Sequence, residues 1–202
     1  MSKNIELDIL SLANMKIESS SDDLYIKNSV SGSSNIRIDV NDNGTNRNAL
    51  LMVPSGNITF PRMSGASGWR SIARTITNST NTVIRFDSEI YDTLGEYDSA
   101  TTGEFTCKYA GVYQCNCAFG YEPYHDHYNY LLRIEKNGVT QAQSVMNRHT
   151  GTPRNLLTNS IACCIPCAAD DVLRFTTYHD YTAPETIQVN ERFPNFSIVK
   201  IA

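Results

Sequence analysis

From Trp69 to the end of the chain, apolar residues tend to recur at every second position, and no stretch holds the three-to-four spacing of an amphipathic helix. The clearest case is the stretch in which Tyr113, Cys115, Cys117 and Phe119 alternate with Gln114, Asn116 and Ala118, which puts the first set on one face of a strand, turned to a core. Runs of suitable length and β-type composition predict strands over 71–76, 82–86, 103–108, 111–119, 130–136, 160–168, 171–178 and 195–201. Turn signals intervene at Asn137-Gly138, Ala169-Asp170-Asp171 and Phe193-Pro194-Asn195. About eight strands and no helix predict an all-β fold, a sandwich or jelly roll.

The first sixty residues have another texture: rich in Ser, Asn and Asp, nearly free of aromatics, with short alternating runs such as Ile36-Arg37-Ile38-Asp39-Val40. Turn signals such as Asp42-Asn43-Gly44 separate strands too short and polar to enclose a core in one chain. Such strands need neighbours, supplied either by identical copies along an extended arm or shaft or by a small β-subdomain packed on the rest; the arm or shaft is favoured. Residues 63–68, small and glycine-containing, read as a linker between an N-terminal segment over 1–62 and a head over 69–202.

Charge and composition narrow the class. The chain is 41% hydrophobic and 19% charged with a formal net charge of −4, and its 17 Lys and Arg are scattered, which disfavours both a disordered polyelectrolyte and a nucleic-acid binder. No apolar run approaches the roughly 20 residues of a membrane span, so no membrane insertion is expected. The acids mixed into the first residues argue against a signal peptide. Cys107, Cys115, Cys117, Cys163, Cys164 and Cys167 then read as reduced thiols packed as small hydrophobes, in a protein assembled in a cytoplasm.

An ordered series of short motifs carries a resemblance. Val83-Ile84-Arg85-Phe86-Asp87, Tyr97-Asp98, Thr102-Gly103-Glu104-Phe105-Thr106-Cys107 and Ala110-Gly111-Val112-Tyr113 are followed by Lys136-Asn137-Gly138, Asp170-Asp171-Val172-Leu173-Arg174-Phe175 and Phe196-Ser197-Ile198-Val199-Lys200-Ile201. Over 69–202 this resembles the globular heads of complement component one, subunit q, and their tumour-necrosis-factor relatives. Asp170 and Ile198 stand where that family prefers glycine, and Cys115 and Cys117 where it has aromatics. The resemblance implies a ten-stranded jelly roll that trimerises and binds proteins or glycans without doing chemistry. There is no collagen repeat for a stalk. Residues 49–60 resemble the polar, glycine-punctuated β-segments of viral and phage fibres.

Candidate chemistry is sparse. Tyr124-His125-Asp126-His127-Tyr128 and Tyr178-His179-Asp180-Tyr181 are aromatic and polar stretches suited to a recognition surface, and Tyr124, His125, Asp126, His127, Tyr128, Tyr178, His179 and Tyr181 are the candidate ligand-binding residues. His125 and His127 are weak metal candidates, because three copies would bring six imidazole nitrogens to a three-fold axis. The spacing of Cys164 and Cys167 has no second pair to complete a zinc site, and the backbone alternation sends Cys163 and Cys164 to opposite faces. Asp87, Asp92, Asp98, Asp170 and Asp171 read as turn carboxylates rather than as a calcium site. His179-Asp180 lacks a nucleophile, so no catalytic residue and no cofactor are expected.

The expectation is a non-enzymatic homotrimer, the fibre or spike head of a virion or a capsid decoration. Its arm would hold other virion proteins and its head a host receptor protein or glycan. The alternative is a secreted recognition protein or lectin of the complement-head type.

Overall fold

The computed structural model describes residues 15–20, 23–28, 36–42, 45–52, 58–59, 63–121, 128–147, 157–187, 189 and 193–202. The chain divides into two units, Met1–Arg62 and Met63–Ala202. In the first, β1 (Met15–Ser20) pairs antiparallel with β2 (Asp23–Asn28). A separate antiparallel sheet joins β3 (Ile36–Asp42), β4 (Thr45–Met52) and β5 (Ile58–Thr59), with a register shift between Ile38 and Asp39.

The second unit is a jelly-roll sandwich. Its strands are β6 (Gly65–Trp69), β7 (Thr75–Ile76), β8 (Thr82–Val83), β9 (Ser88–Asp92), β10 (Glu104–Thr106), β11 (Gly111–Tyr121), β12 (Asn129–Lys136), β13 (Val139–Asn147), β14 (Leu157–Cys167), β15 (Val172–His179), β16 (Glu185–Thr186) and β17 (Asn195–Lys200). One sheet runs β14-β11-β17-β6-β9; the facing sheet runs β10-β15-β12-β13, with β8 also on β15. β16 and β7 form a small ribbon. Among the described residues no helix is long and apolar enough to cross a membrane.

The period-two pattern is what fills the space between the sheets. Tyr113, Cys115, Cys117 and Phe119 point inward from β11, and Leu173 and Phe175 answer from β15, all nearly or fully buried. Phe86, Phe175, Tyr97 and Phe196 form the central aromatic cluster, Phe196 lying 4.7 Å from Phe86 and 4.5 Å from Tyr97 between ring centroids. All six cysteines are free thiols; Cys163 leans on the core and Cys164 faces out, as the alternation of a strand requires.

One expectation about the elements is corrected. Residues 63–68 are not a linker: Gly65–Trp69 is an inner strand, hydrogen-bonded to β17 on one side and β9 on the other. Its small residues serve contact rather than flexibility, since a Cβ on Gly68 would stand 2.6 Å from the Ser88 carbonyl oxygen and 3.1 Å from the Phe196 ring. Gly111 opens β11 where the C-terminus crosses it, and a Cβ there would overlap the Ala202 carbonyl oxygen and the Lys200 side chain. Val112 N–H donates to that Ala202 oxygen at 2.7 Å. Asp170, in the family's glycine position, holds φ 68°, a left-handed conformation that aspartate tolerates better than most residues.

Candidate functional site

Tyr128, from the first stretch nominated from sequence, and Tyr178–Tyr181, the second, meet at one end of the β10-β15-β12-β13 sheet. The antiparallel register sets Tyr130 opposite His179 and Leu131 opposite Tyr178, so the residues just before β12 and just after β15 are neighbours. Asp180 fixes that junction: its two carboxylate oxygens accept from the Asn129 backbone N–H and from Asn129 Nδ2, both at 2.6 Å. Half-buried Tyr128 and Tyr181 then meet edge to face, centroids 4.9 Å apart at 75°. Tyr178, on the outer face of β15, lies under the Arg133 guanidinium, whose carbon is 6.0 Å from its ring centroid. Tyr124, His125, Asp126 and His127 lie outside the described residues.

His179 is placed differently from the surface role expected of it. It is fully buried, its Nε2 lies 3.1 Å from the Ile76 carbonyl oxygen, and its ring stacks on Tyr130 at 26°. Burial lowers its pKa, which favours a neutral imidazole whose Nε2–H donates to that carbonyl. Inward alternation along β15 is the cause: Leu173, Phe175, Thr177 and His179 share the core face. Asp180, adjacent in sequence, is engaged by Asn129, so the pair does not assemble as hydrolase machinery.

Beneath the tyrosine rim lies a polar group that the sequence did not announce. Glu185 is 4% exposed and accepts from the Tyr130 hydroxyl at 2.9 Å. Next to it, Thr177 Oγ1 donates to the Leu131 carbonyl, leaving its lone pair for the Tyr121 hydroxyl at 2.6 Å. Burial pushes the Glu185 carboxyl up from 4.5 to about 7, partly offset by the Tyr130 hydrogen bond. The folded head therefore keeps a proton that the unfolded chain gives up above pH 4.5, and this contribution to stability is whole below that pH and lost as pH rises through about 7. A shift of this size amounts to about 3 kcal/mol at most. Glu185→Gln is expected to flatten the fall in urea midpoint between pH 5 and pH 8; an unchanged slope would assign the effect to another group.

Four of the turn aspartates accept from nearby backbone N–H groups. Asp92 accepts from the N–H groups of Leu94, Glu96 and Tyr97. Asp98 accepts from Ala100, Thr101 and Thr102, and the Thr101 hydroxyl above all holds its carboxyl below the usual range. Asp87 takes Ser71, and Asp171 takes Asn137 and Ala168. No group of three or more His, Cys, Asp or Glu suited to a metal occurs among the described residues.

The outward faces of the two sheets differ in kind. On the β10-β15-β12-β13 side, Arg174 bridges Glu135 at 2.9 Å and Glu104 at 3.2 Å, and Lys136 lies 3.5 Å from Asp171. On the other side, the outward positions of β11, β14 and β17 include Gln114, Asn116, Ala118, Ser160, Ala162, Cys164, Asn195 and Ser197, with Val112, Pro166 and Val199 towards one end and no charge among them, although the edge strand β9 of the same sheet carries the exposed Glu89. A shallow groove of about 520 Å³ crosses this face, lined by Asn116, Ala118, Ser160, Ala162, Ser197 and the exposed Ile90 among others.

Among the described residues the head is a helix-free pair of five-stranded sheets on a jelly-roll scaffold, with an aromatic pair at one end of one sheet. Residues 70–163 match the family model of the C1q domain, and the jelly roll is similar in fold to solved complement and tumour-necrosis-factor heads. The globular domain of zebrafish complement 1qA superposes with a TM-score of 0.53 at 15% identity, covering 70% of this chain and 98% of that one. Eiger TNF from S. frugiperda gives 0.50 at 15%, covering 69% and 93%, and murine APRIL gives 0.51 at 10%, covering 69% and 100%. At such identities the likeness is one of fold. No curated protein matches the chain.

Proposed function

We propose that the chain is a non-enzymatic recognition protein that works as a homotrimer, its uncharged sheet face joining the copies and its Tyr128–Tyr181 rim contacting a protein or glycan. The contrast between the two outward sheet faces is the observation that carries this reading. A solvent-facing strand surface ordinarily carries charges of both signs, as β12 and β15 do, whereas β11, β14 and β17 present only uncharged side chains outward. Such a face fits close approach of identical copies around an axis. The finer reading is the head of a virion fibre or spike, held by Met1–Arg62. It is supported by the resemblance of the polar, glycine-punctuated sequence of 49–60 to viral and phage fibre segments.

Light scattering coupled to size exclusion tests the assembly on the full chain and on the unit beginning at Met63. Three copies in both preparations support the reading, and a monomer in both removes it. For recognition, the full chain is applied to a glycan array and to intact host cells. Tyr181→Ala is expected to weaken the strongest signal at least tenfold with the trimer intact, because the edge-to-face partner of Tyr128 is lost. Unchanged binding would move the contact away from this rim.

A further inference from the structure

A pocket of about 270 Å³ is lined by Arg74, Val83, Arg85, Thr101 and Thr102, none of them in the tyrosine rim or on the neutral face. Backbone contacts fix its walls. Val83 is paired with Thr176 of β15, and the Arg74 carbonyl accepts from Ile187 N–H at 2.8 Å. Gly103, at φ 71°, lets the loop before it lie so close to Arg85 that a Cβ there would stand 3.0 Å from the Arg85 Cα. Asp98 braces that loop by accepting from the N–H groups of Ala100, Thr101 and Thr102, so the pocket is shaped by the protein alone.

The two arginines of this pocket are held by carbonyls and lack a counter-charge. Arg74 Nη1 donates to the Val83 carbonyl at 3.1 Å and Arg85 Nη1 to the Ala100 carbonyl, which leaves the other N–H groups of both guanidiniums for water or a ligand. The ion pairs among the described residues belong to Lys136 and Arg174, and none to these two. Arg70, 4% exposed, adds a third guanidinium to the cluster by donating to the Arg85 carbonyl. Burial lowers its pKa, Asp87 opposes that, and Arg74 and Arg85 lower it further, a repulsion that a bound anion relieves.

We propose that this pocket binds one acidic sugar unit, its carboxylate or sulfate held by Arg74 and Arg85 and its hydroxyls by Thr101 and Thr102. A guanidinium suits such groups because its N–H donors pair with two oxygens at once. The threonines indicate what else the ligand carries. Both hydroxyls donate to Asp98, whose carboxyl is held below the usual range and therefore ionised, so they have only lone pairs left to offer. A bare oxyanion has no hydrogen for them, whereas a sugar has several hydroxyls. Val83 supplies an apolar wall for the C–H face of the ring. The pocket is smaller than the roughly 300–1,000 Å³ of sites for drug-sized molecules, which limits the occupant to about one ring. Every lining residue comes from one chain, so the site depends neither on association of copies nor on the Tyr128–Tyr181 rim.

Isothermal titration calorimetry on the full chain, at fixed ionic strength, compares glucose 6-sulfate, glucuronate, glucose and inorganic sulfate. At least one acidic sugar is expected to bind about tenfold tighter than glucose or sulfate, and the tighter of the two identifies the acid group. At about ten times its dissociation constant, that ligand is expected to raise the melting temperature by about 4 to 8 °C. Arg74→Ala, at an exposed residue, should weaken binding about tenfold with the fold intact, and Arg74→Lys should recover only part of it, since an ammonium does not pair with two oxygens. Lys108→Ala, at another exposed cation, and Tyr181→Ala, in the rim, should leave the affinity unchanged. Absence of binding by both acidic sugars, glucose or sulfate binding as tightly as they do, or a loss in Lys108→Ala equal to that in Arg74→Ala overturns the site.

Discussion

Phe196→Ala is expected to cost the head about 3 to 5 kcal/mol, enough to unfold much of the population at 37 °C. Phe196 is 2% exposed and lies within 4.7 Å of Phe86, 4.5 Å of Tyr97 and 5.9 Å of Phe175, so one ring ties β17 to the facing sheet through three others. The lost burial is compounded by the hole it leaves. Gly68 supplies no side chain and Ala66 only a methyl to collapse into it, and β6 is held in register with β17 by its backbone. Urea unfolding at fixed protein concentration measures the effect, with Ile90→Ala as control: that residue is 56% exposed and should stay within about 0.5 kcal/mol in the isolated chain. A Phe196→Ala loss no greater than that of Ile90→Ala would mean that the aromatic cluster is not the keystone of the head.

How much of this is legible in the sequence depends on which force acts at each position. Inward alternation in β11, β12, β15 and β17 can be read because burial of a half-buried strand writes a period of two directly into the chain. β13 escapes such a reading because it is an edge strand whose Val139, Gln141, Gln143 and Val145 stay exposed, so no burial pattern disciplines its composition. β6 misleads for the opposite reason: Gly65-Ala66-Ser67-Gly68 is small because neighbouring backbone and Phe196 crowd it, and smallness for contact looks the same in a sequence as smallness for flexibility.

The candidate site shows the same division. Tyr128 and Tyr181 can be nominated by residue type, but their meeting depends on the pairing of β12 with β15, fifty residues apart, which local pattern does not encode. His179 is nominated with them and is core, since in a strand the exposed and buried positions differ by one residue and β15 runs one residue further than its composition suggests. Glu185 leaves no signal at all: a lone acid in a polar stretch gives no sign that the Tyr130 hydroxyl will reach it. The buried partner, not the residue type, makes it unusual.

If the proposed trimer forms, Ala162→Arg is expected to turn it into monomers while leaving each head folded. Ala162 sits outward on β14 beside Asn116 of β11, exposed in the single chain, so a longer side chain there has room and its charge has water. The outcome changes only if copies meet on this face. Each copy would then bury a guanidinium against neutral partners, with no carboxylate at the outward positions of β11, β14 or β17 to receive it. An unpaired buried charge costs several kcal/mol, which in an assembly of three chains raises the dissociation midpoint by at least a hundredfold. Val145→Arg on the other sheet, at a residue 54% exposed, is the matched control and should remain trimeric. Light scattering at micromolar concentration reads both variants, and circular dichroism confirms that both stay folded. If Ala162→Arg remains a trimer while Val145→Arg dissociates, the copies meet through the charged sheet, and the neutral face becomes the surface left open for a ligand.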